Sequence, residues 1–302
     1  MRGKRRKERM ILKNATLHIG NGEVFQGDMR IADGKIVEVG KNINGDESRS
    51  LNGKHVFPGF IDSGNFLGAQ DMAFFAKDYN ENSNPVTPYL DIWHSIDPDE
   101  LSLQELYKAG ITSMLVTPGN EGILGGTCTV VKTKGKNINK ITVKRDAAMK
   151  ASMTSEVIRV FSGKGSPQTP MALIAMLKTA LQTTEYANDY RSQRTKEVMD
   201  AVREGRMPIL VACETAPEME RFLEATKEYT KMKIIFTLSY EADRCADAIK
   251  KRGAAVVLGD TSRNATHLVH RMDFAKLMNM AEDGTKVGLT VLGPNMAWGR
   301  EM

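Results

Sequence analysis

The sequence predicts an α/β chain whose main part is a TIM-like (β/α)8 barrel, and three observations carry that prediction. Short apolar runs at 207–212, 233–238, 254–258 and 286–292 alternate with helical patterns such as 218–229 and 240–252. Another apolar run, Val56-Phe57-Pro58-Gly59-Phe60-Ile61-Asp62, enters a turn at Ser63-Gly64, the kind of strand end where βα barrels place their chemistry. With a buried strand at 111–117 and two more allowed in the less legible stretch 119–169, the count reaches eight, which favours a barrel over an open sheet.

Taken in order, residues 1–9 are a basic tail expected to be disordered. Arg, Gly, Lys and Glu can be encoded by purine-only codons and a strand begins at Met10, so translation is expected to start there; intact mass of the protein from its own gene checks this. Residues 10–57 read as a small β unit in which Met29-Arg30-Ile31 and the strand from Lys35 to Val39 flank Asp33-Gly34, a dipeptide suited to a tight hairpin. The barrel occupies 58–302. A long loop from Ala69 to Ile96 is expected to be a lid or packing insertion. Asp97-Pro98-Asp99-Glu100 predicts a helix start, with a capping side chain, Pro in the first turn and Glu at the third position. Ten residues follow the last strand run, without a covering helix, so the barrel is expected to be C-terminally incomplete and its open edge to favour dimerisation.

Composition narrows the function classes. With 41% hydrophobic and 26% charged residues in 302, this is an ordinary globular composition. Three scattered cysteines, Cys128, Cys213 and Cys245, show no Cys-x-x-Cys spacing and fit a reducing cytoplasm. The most apolar stretch, Met171 to Leu181, is broken by Lys178 and too short for a membrane span, and residues 11–16 are too polar for a signal peptide. The net charge of +5 resides in the tail, and the basic cluster Lys132, Lys134, Lys136, Lys140, Lys144 and Arg145 lacks interleaved aromatics, so no nucleic-acid partner is expected. Ser162-Gly163-Lys164-Gly165-Ser166 lacks Walker spacing.

The segment Pro58-Gly59-Phe60-Ile61-Asp62 resembles the opening strand of the amidohydrolase superfamily, where Pro-Gly-apolar-apolar-Asp precedes a metal-binding His-x-His. Further resemblance, to the imidazolonepropionase-like branch, lies in the run Asp78 to Leu90, in Val116-Thr117-Pro118-Gly119-Asn120, in Ile123-Leu124-Gly125-Gly126 and in Ala148-Met149-Lys150-Ala151, and extends over nearly all of 10–302. It implies that the N-terminal strands belong to a β-sandwich that strands from the far end complete. It also implies where metal ligands would stand. The first-strand histidines fall on Gly64 and Phe66, the fourth-strand carboxylate near Ser155, the fifth-strand histidine at Ala212, the sixth-strand histidine on Leu238 and the eighth-strand aspartate on Leu292. A hydrolytic zinc site needs three or more N or O donors around an open position, and these side chains do not supply them. No cofactor is therefore expected, the family zinc being lost.

Other residues offer weaker candidates. The histidines are His18, His55, His94, His267 and His270, of which only the last two share a helical spacing. Cys213 beside Glu214 is a candidate nucleophile with a carboxylate near it, without an evident base, and buried packing is its alternative. Glu214, with Glu241 and Asp260 near other strand ends, is a candidate receptor for a cationic ligand or a solvated group. Met272, Phe274, Leu277, Met278 and Met280 suit a helix core. The expectation is a catalytically degenerate, amidohydrolase-like pseudoenzyme acting as a binding or partner subunit, as a homo-oligomer or with a paralogous amidohydrolase. The alternative is a hydrolase of amide or cyclic amide C–N bonds.

Overall fold

The computed structural model describes residues 9–45, 47–70, 77–259 and 273–291, which form parts of two compact units divided between Gly59 and Phe60. The expectations for Leu292, Asp260, His267, His270 and Met272 lie outside the described residues.

The first unit is a five-stranded sheet built from β1 (Arg9–His18), β2 (Val24–Ala32), β3 (Lys35–Gly40), β4 (Ser48–Ser50) and β5 (His55–Val56). Its order is β3-β2-β1-β4, with β5 also paired to β1. The hairpin between β2 and β3 turns at Asp33 and Gly34, whose φ angles of 52° and 73° are those a two-residue primed turn demands. One face buries Ala15, Leu17 and Met29. Asp28, also buried, accepts hydrogen bonds from the amides of Asn14 (3.0 Å) and Ile43 (3.0 Å), tying the loop after β3 to the sheet.

The second unit is an eight-stranded sheet in the sequential order β6 (Phe60–Asn65), β7 (Ile111–Val116), β8 (Leu124–Lys132), β9 (Thr142–Ser152), β10 (Ile209–Ala212), β11 (Ile234–Thr237), β12 (Ala255–Leu258) and β13 (Val287–Leu289). The end strands meet at Asp62 of β6, which accepts hydrogen bonds from Thr290 Oγ1 (3.0 Å) and Val291 N (2.9 Å) just past β13, so the sheet is a nearly closed barrel. The strand count agrees with the expectation, but one strand differs in direction: β8 runs antiparallel to both β7 and β9, whereas the other neighbouring pairs are parallel. The cause is loop length. Residues 117–123 are too few for the crossover of a dozen or more that a parallel neighbour needs, so the chain turns back as a hairpin.

Helices cover the outer face: α1 (Leu101–Lys108), the single turn α2 (Ile138–Ile141), α3 (Ser155–Phe161), α4 (Pro170–Gln182), α5 (Tyr190–Arg203), α6 (Ala216–Ala225), α7 (Ala246–Arg252) and α8 (Phe274–Glu282). Met149, Ala151, Ile209, Val211, Phe236, Val256 and Leu258 point outward into the main core, meeting Leu173, Leu177, Val198, Phe222, Ile249 and Leu277 of the helices. At about 25 cal/mol per Å² of apolar area, this layer dominates the stability of the unit. In α8, Leu277 and Met280 are buried while Phe274 and Met278 are exposed, so only half of the expected apolar face is core. Helix α1 starts three residues later than the sequence indicates. Its cap is Glu100, whose side chain accepts from Ser102 N and also from Gly68 N (2.9 Å), while Asp97 closes a turn onto Asp99 N (2.9 Å).

Candidate functional site

The loops that follow β6, β7, β9, β10 and β11 emerge at one end of the barrel, because those strands point the same way. Side chains alternate along them. Those not in the helical core form an inner face, where Cys128, Ala148 and Leu210 cluster with Leu115 and Ile235. Register assigns two rungs of this face. Lys150 lies opposite Leu210 on one side and Gly126 on the other. Above it, Ser152, Ala212, Thr237 and Val257 stand in line across four strands.

Gly64 belongs to the same face. A Cβ there would sit 3.5 Å from Leu210 Cδ2 and 3.5 Å from Thr117 Cγ2, and its φ of 150° suits glycine better than any residue with a side chain. Phe66, the next position of the expected His-x-His pair, stacks on Tyr79 with ring centroids 4.0 Å apart. Ala212 is buried within the upper rung. Leu238 follows β11 with φ 63°, a left-handed conformation that a bulky L-residue adopts only at a cost. Ser155 is exposed at the start of α3, and the inward polar groups of the fourth strand are instead Lys150 and Ser152.

Lys150 is the functional candidate that sequence reasoning missed. It is only 3% exposed, and among the described residues nothing accepts a hydrogen bond from its Nζ. Burial pushes its pKa down to about 8. The signal was available in the alternation of Ala148-Met149-Lys150-Ala151-Ser152, which sets Lys150 on the face of Ala148 and Ser152.

Cys213 faces away from the barrel, in the helical core beside Met219 and Phe222. Burial raises its thiol well above the ordinary range, so the nucleophilic thiolate is disfavoured there. Glu214, one residue on, is half-buried. Burial first, then Glu218 and Glu156, push its carboxyl up to about 7. Glu218 accepts hydrogen bonds from the amides of Glu214 (2.7 Å) and Thr215 (3.2 Å), as a helix-capping residue does. Glu241 is committed to structure: it accepts from Ala216 N (3.1 Å) and pairs with Arg244 (3.2 Å). Glu121, after β7, holds Lys77 (3.1 Å) and Asn82 (2.6 Å).

Three histidines are among the described residues. His18 and His55 share a 2.8 Å contact in the first unit, where His18 stacks on Phe57. His94 lies edge-on to Trp93 in the long loop. Among the described residues no group of three or more His, Cys, Asp or Glu is placed to hold a metal ion. Gly64, Phe66, Ala212 and Leu238 carry no nitrogen or oxygen donor in their side chains. No helix among the described residues is long and apolar enough to cross a membrane.

No protein-family model and no curated protein matches the sequence. Among solved structures, the chain is similar to an amidohydrolase from Thermotoga maritima MSB8, with 21% identity, a TM-score of 0.86, and coverage of 96% of this chain and 80% of that one. Weaker likenesses are an uncharacterized metal-dependent hydrolase from Pyrococcus furiosus (11% identity, TM-score 0.43, 96% and 86% coverage) and a D-hydantoinase (14%, 0.34, 93% and 57%). The Thermotoga maritima structure shows that this chain has an amidohydrolase-like fold.

Proposed function

We propose that this chain is an amidohydrolase-fold pseudoenzyme of the imidazolonepropionase-like branch, acting in the cytoplasm as a binding or partner subunit. The observation that carries this reading is the set of side chains at the strand ends. Gly64, Phe66, Ala212 and Leu238 stand where the family resemblance implies metal ligands, and Phe66 is packed onto Tyr79. Without three donors around an open position, a bound water is not brought to an ionisation near neutrality. The partner is either a second copy or a paralogous amidohydrolase chain. Elemental analysis of the protein purified from its native source tests the reading, and is expected to give no stoichiometric zinc, iron, manganese or nickel. A chelator-sensitive metal at one per chain defeats it. Native co-purification tests the subunit role, for which a lone monomer is the adverse result.

A second reading, hydrolysis of amide or cyclic amide C–N bonds, is favoured by Glu214. A carboxyl pushed up to about 7 is poised for proton transfer at neutral pH. Turnover of a cyclic amide that Glu214→Gln abolishes would establish it over the first.

A further inference from the structure

Three Asn-Gly pairs stand in the first unit, at Asn21-Gly22, Asn44-Gly45 and Asn52-Gly53. In such a pair the glycine amide nitrogen is a latent nucleophile toward the asparagine side-chain carbonyl, because glycine has no Cβ to obstruct the approach. All three pairs are exposed, so base and water reach each of them. Attack needs an amide nitrogen free to lose its proton. It is faster where a donor meets the carbonyl oxygen on which negative charge develops.

Those two conditions divide the pairs. At Asn52 the carbonyl is met, since Ser50 Oγ donates to Asn52 Oδ1 at 2.8 Å, but the nucleophile is tied down, since Gly53 N donates to Asn14 O at 2.7 Å. At Asn44 no described residue accepts from Gly45 N, yet none donates to Asn44 Oδ1 either; Arg30 reaches the backbone carbonyl of Asn44 instead, at 2.7 Å. Asn21 satisfies both conditions. Glu23 N donates to Asn21 Oδ1 at 3.0 Å, and Gly22 N has no acceptor among the described residues. The space around the nucleophile is also open, since a Cβ on Gly22 would meet nothing within 4 Å.

We propose that Asn21 is a site of spontaneous deamidation, with Gly22 N as the nucleophile and Glu23 N–H as the donor to the oxyanion. Hydroxide removes the Gly22 amide proton and the nitrogen bonds to Asn21 Cγ. The Cγ–Nδ2 bond then breaks as Nδ2 takes a proton from water and leaves as ammonia. One water opens the resulting succinimide, at Cγ to give aspartate or at the backbone carbonyl to give isoaspartate. Nothing is oxidised or reduced. Either product adds a negative charge, and isoaspartate also lengthens the main chain of the β1–β2 connection, which Ile19 N closes by donating to Glu23 O at 3.0 Å. This chemistry is independent of the pseudoenzyme reading.

The test holds the full chain at mildly alkaline pH and follows peptides covering the three pairs by mass spectrometry, with electron-transfer fragmentation to identify isoaspartate. Asn21 is expected to convert first, about tenfold faster than Asn52, the factor set by the backbone hydrogen bond that Gly53 N must give up. Asn44 is expected to convert more slowly than Asn21. Asn52 keeping pace with Asn21, Asn44 overtaking it, or an Asn21 that stays intact while the denatured chain converts there overturns the assignment. In denaturant the lead of Asn21 over the other two pairs is expected to vanish. A lead that survives unfolding places its cause in the flanking sequence and equally overturns the role given to Gly22 N and Glu23 N–H.

Discussion

Asp62 and Lys150 are equally buried, each 3% exposed, yet Asp62 accepts hydrogen bonds from Gly64, Thr290 and Val291 while Lys150 donates to none of the described residues. Burial pushes the Asp62 carboxyl above its ordinary range, and those donors offset the rise only in part. The carboxylate is committed to architecture, since it joins the first and last strands of the barrel. The amine performs no such task. A buried charge with partners reads as structure.

That contrast breaks most visibly at Asp62. Asp62→Ala removes the acceptor for three donors at the seam and is expected to cost about 3–5 kcal/mol in denaturant unfolding. A loss below about 1 kcal/mol would mean that the seam closes by other contacts. Lys150→Met should act in the opposite direction, stabilising the protein by about 1–3 kcal/mol. Its pH dependence sharpens the test. The folded amine titrates at about 8 against an ordinary 10.5, so the unfolded chain binds more protons between those values and stability rises with pH across that window. The gain from Lys150→Met is therefore full below the lower value and gone above the upper one.

Glu214 extends the comparison to the half-buried rim. Its carboxyl is raised from 4.5 to about 7, so the folded chain holds the proton more tightly and stability falls as pH rises through that interval. Glu214→Gln is expected to recover about 1 kcal/mol above pH ~8, after discounting for solvent screening, and nothing at pH ~4. The smallest effect is at Leu238, where Leu238→Gly relieves a left-handed backbone. A gain of about 1 kcal/mol in the unfolding midpoint is expected, less what is lost in side-chain burial.

Much of the barrel was legible in the chain itself. Runs such as Ile209 to Ala212 and Ala255 to Leu258 are apolar on both faces because one packs on helices and the other lines the interior. Direction was not legible, since an apolar run such as Leu124 to Lys132 reads the same either way, and only the short connection from Thr117 betrays the reversal. Cys213 and Glu214 were legible as neighbours but not as residues with different surroundings, which requires the register of β10 against β9 and β11. Lys150 escaped because a lysine in an apolar run usually marks an exposed position. Leu238 escaped because nothing in a leucine announces a positive φ.

The reversed strand has a kinetic consequence. Because β7, β8 and β9 form a meander of adjacent hairpins, this part of the barrel closes through loops of low sequence separation, whereas Asp62 meets Val291 only across almost the whole second unit. Chains lose less entropy in forming local pairs, and rates follow. Pulse-labelled hydrogen exchange during refolding is expected to protect the amides of β8 and β9 first and that of Val291 last. The hairpin that departs from the regular barrel pattern would then be the template on which the rest of the barrel assembles.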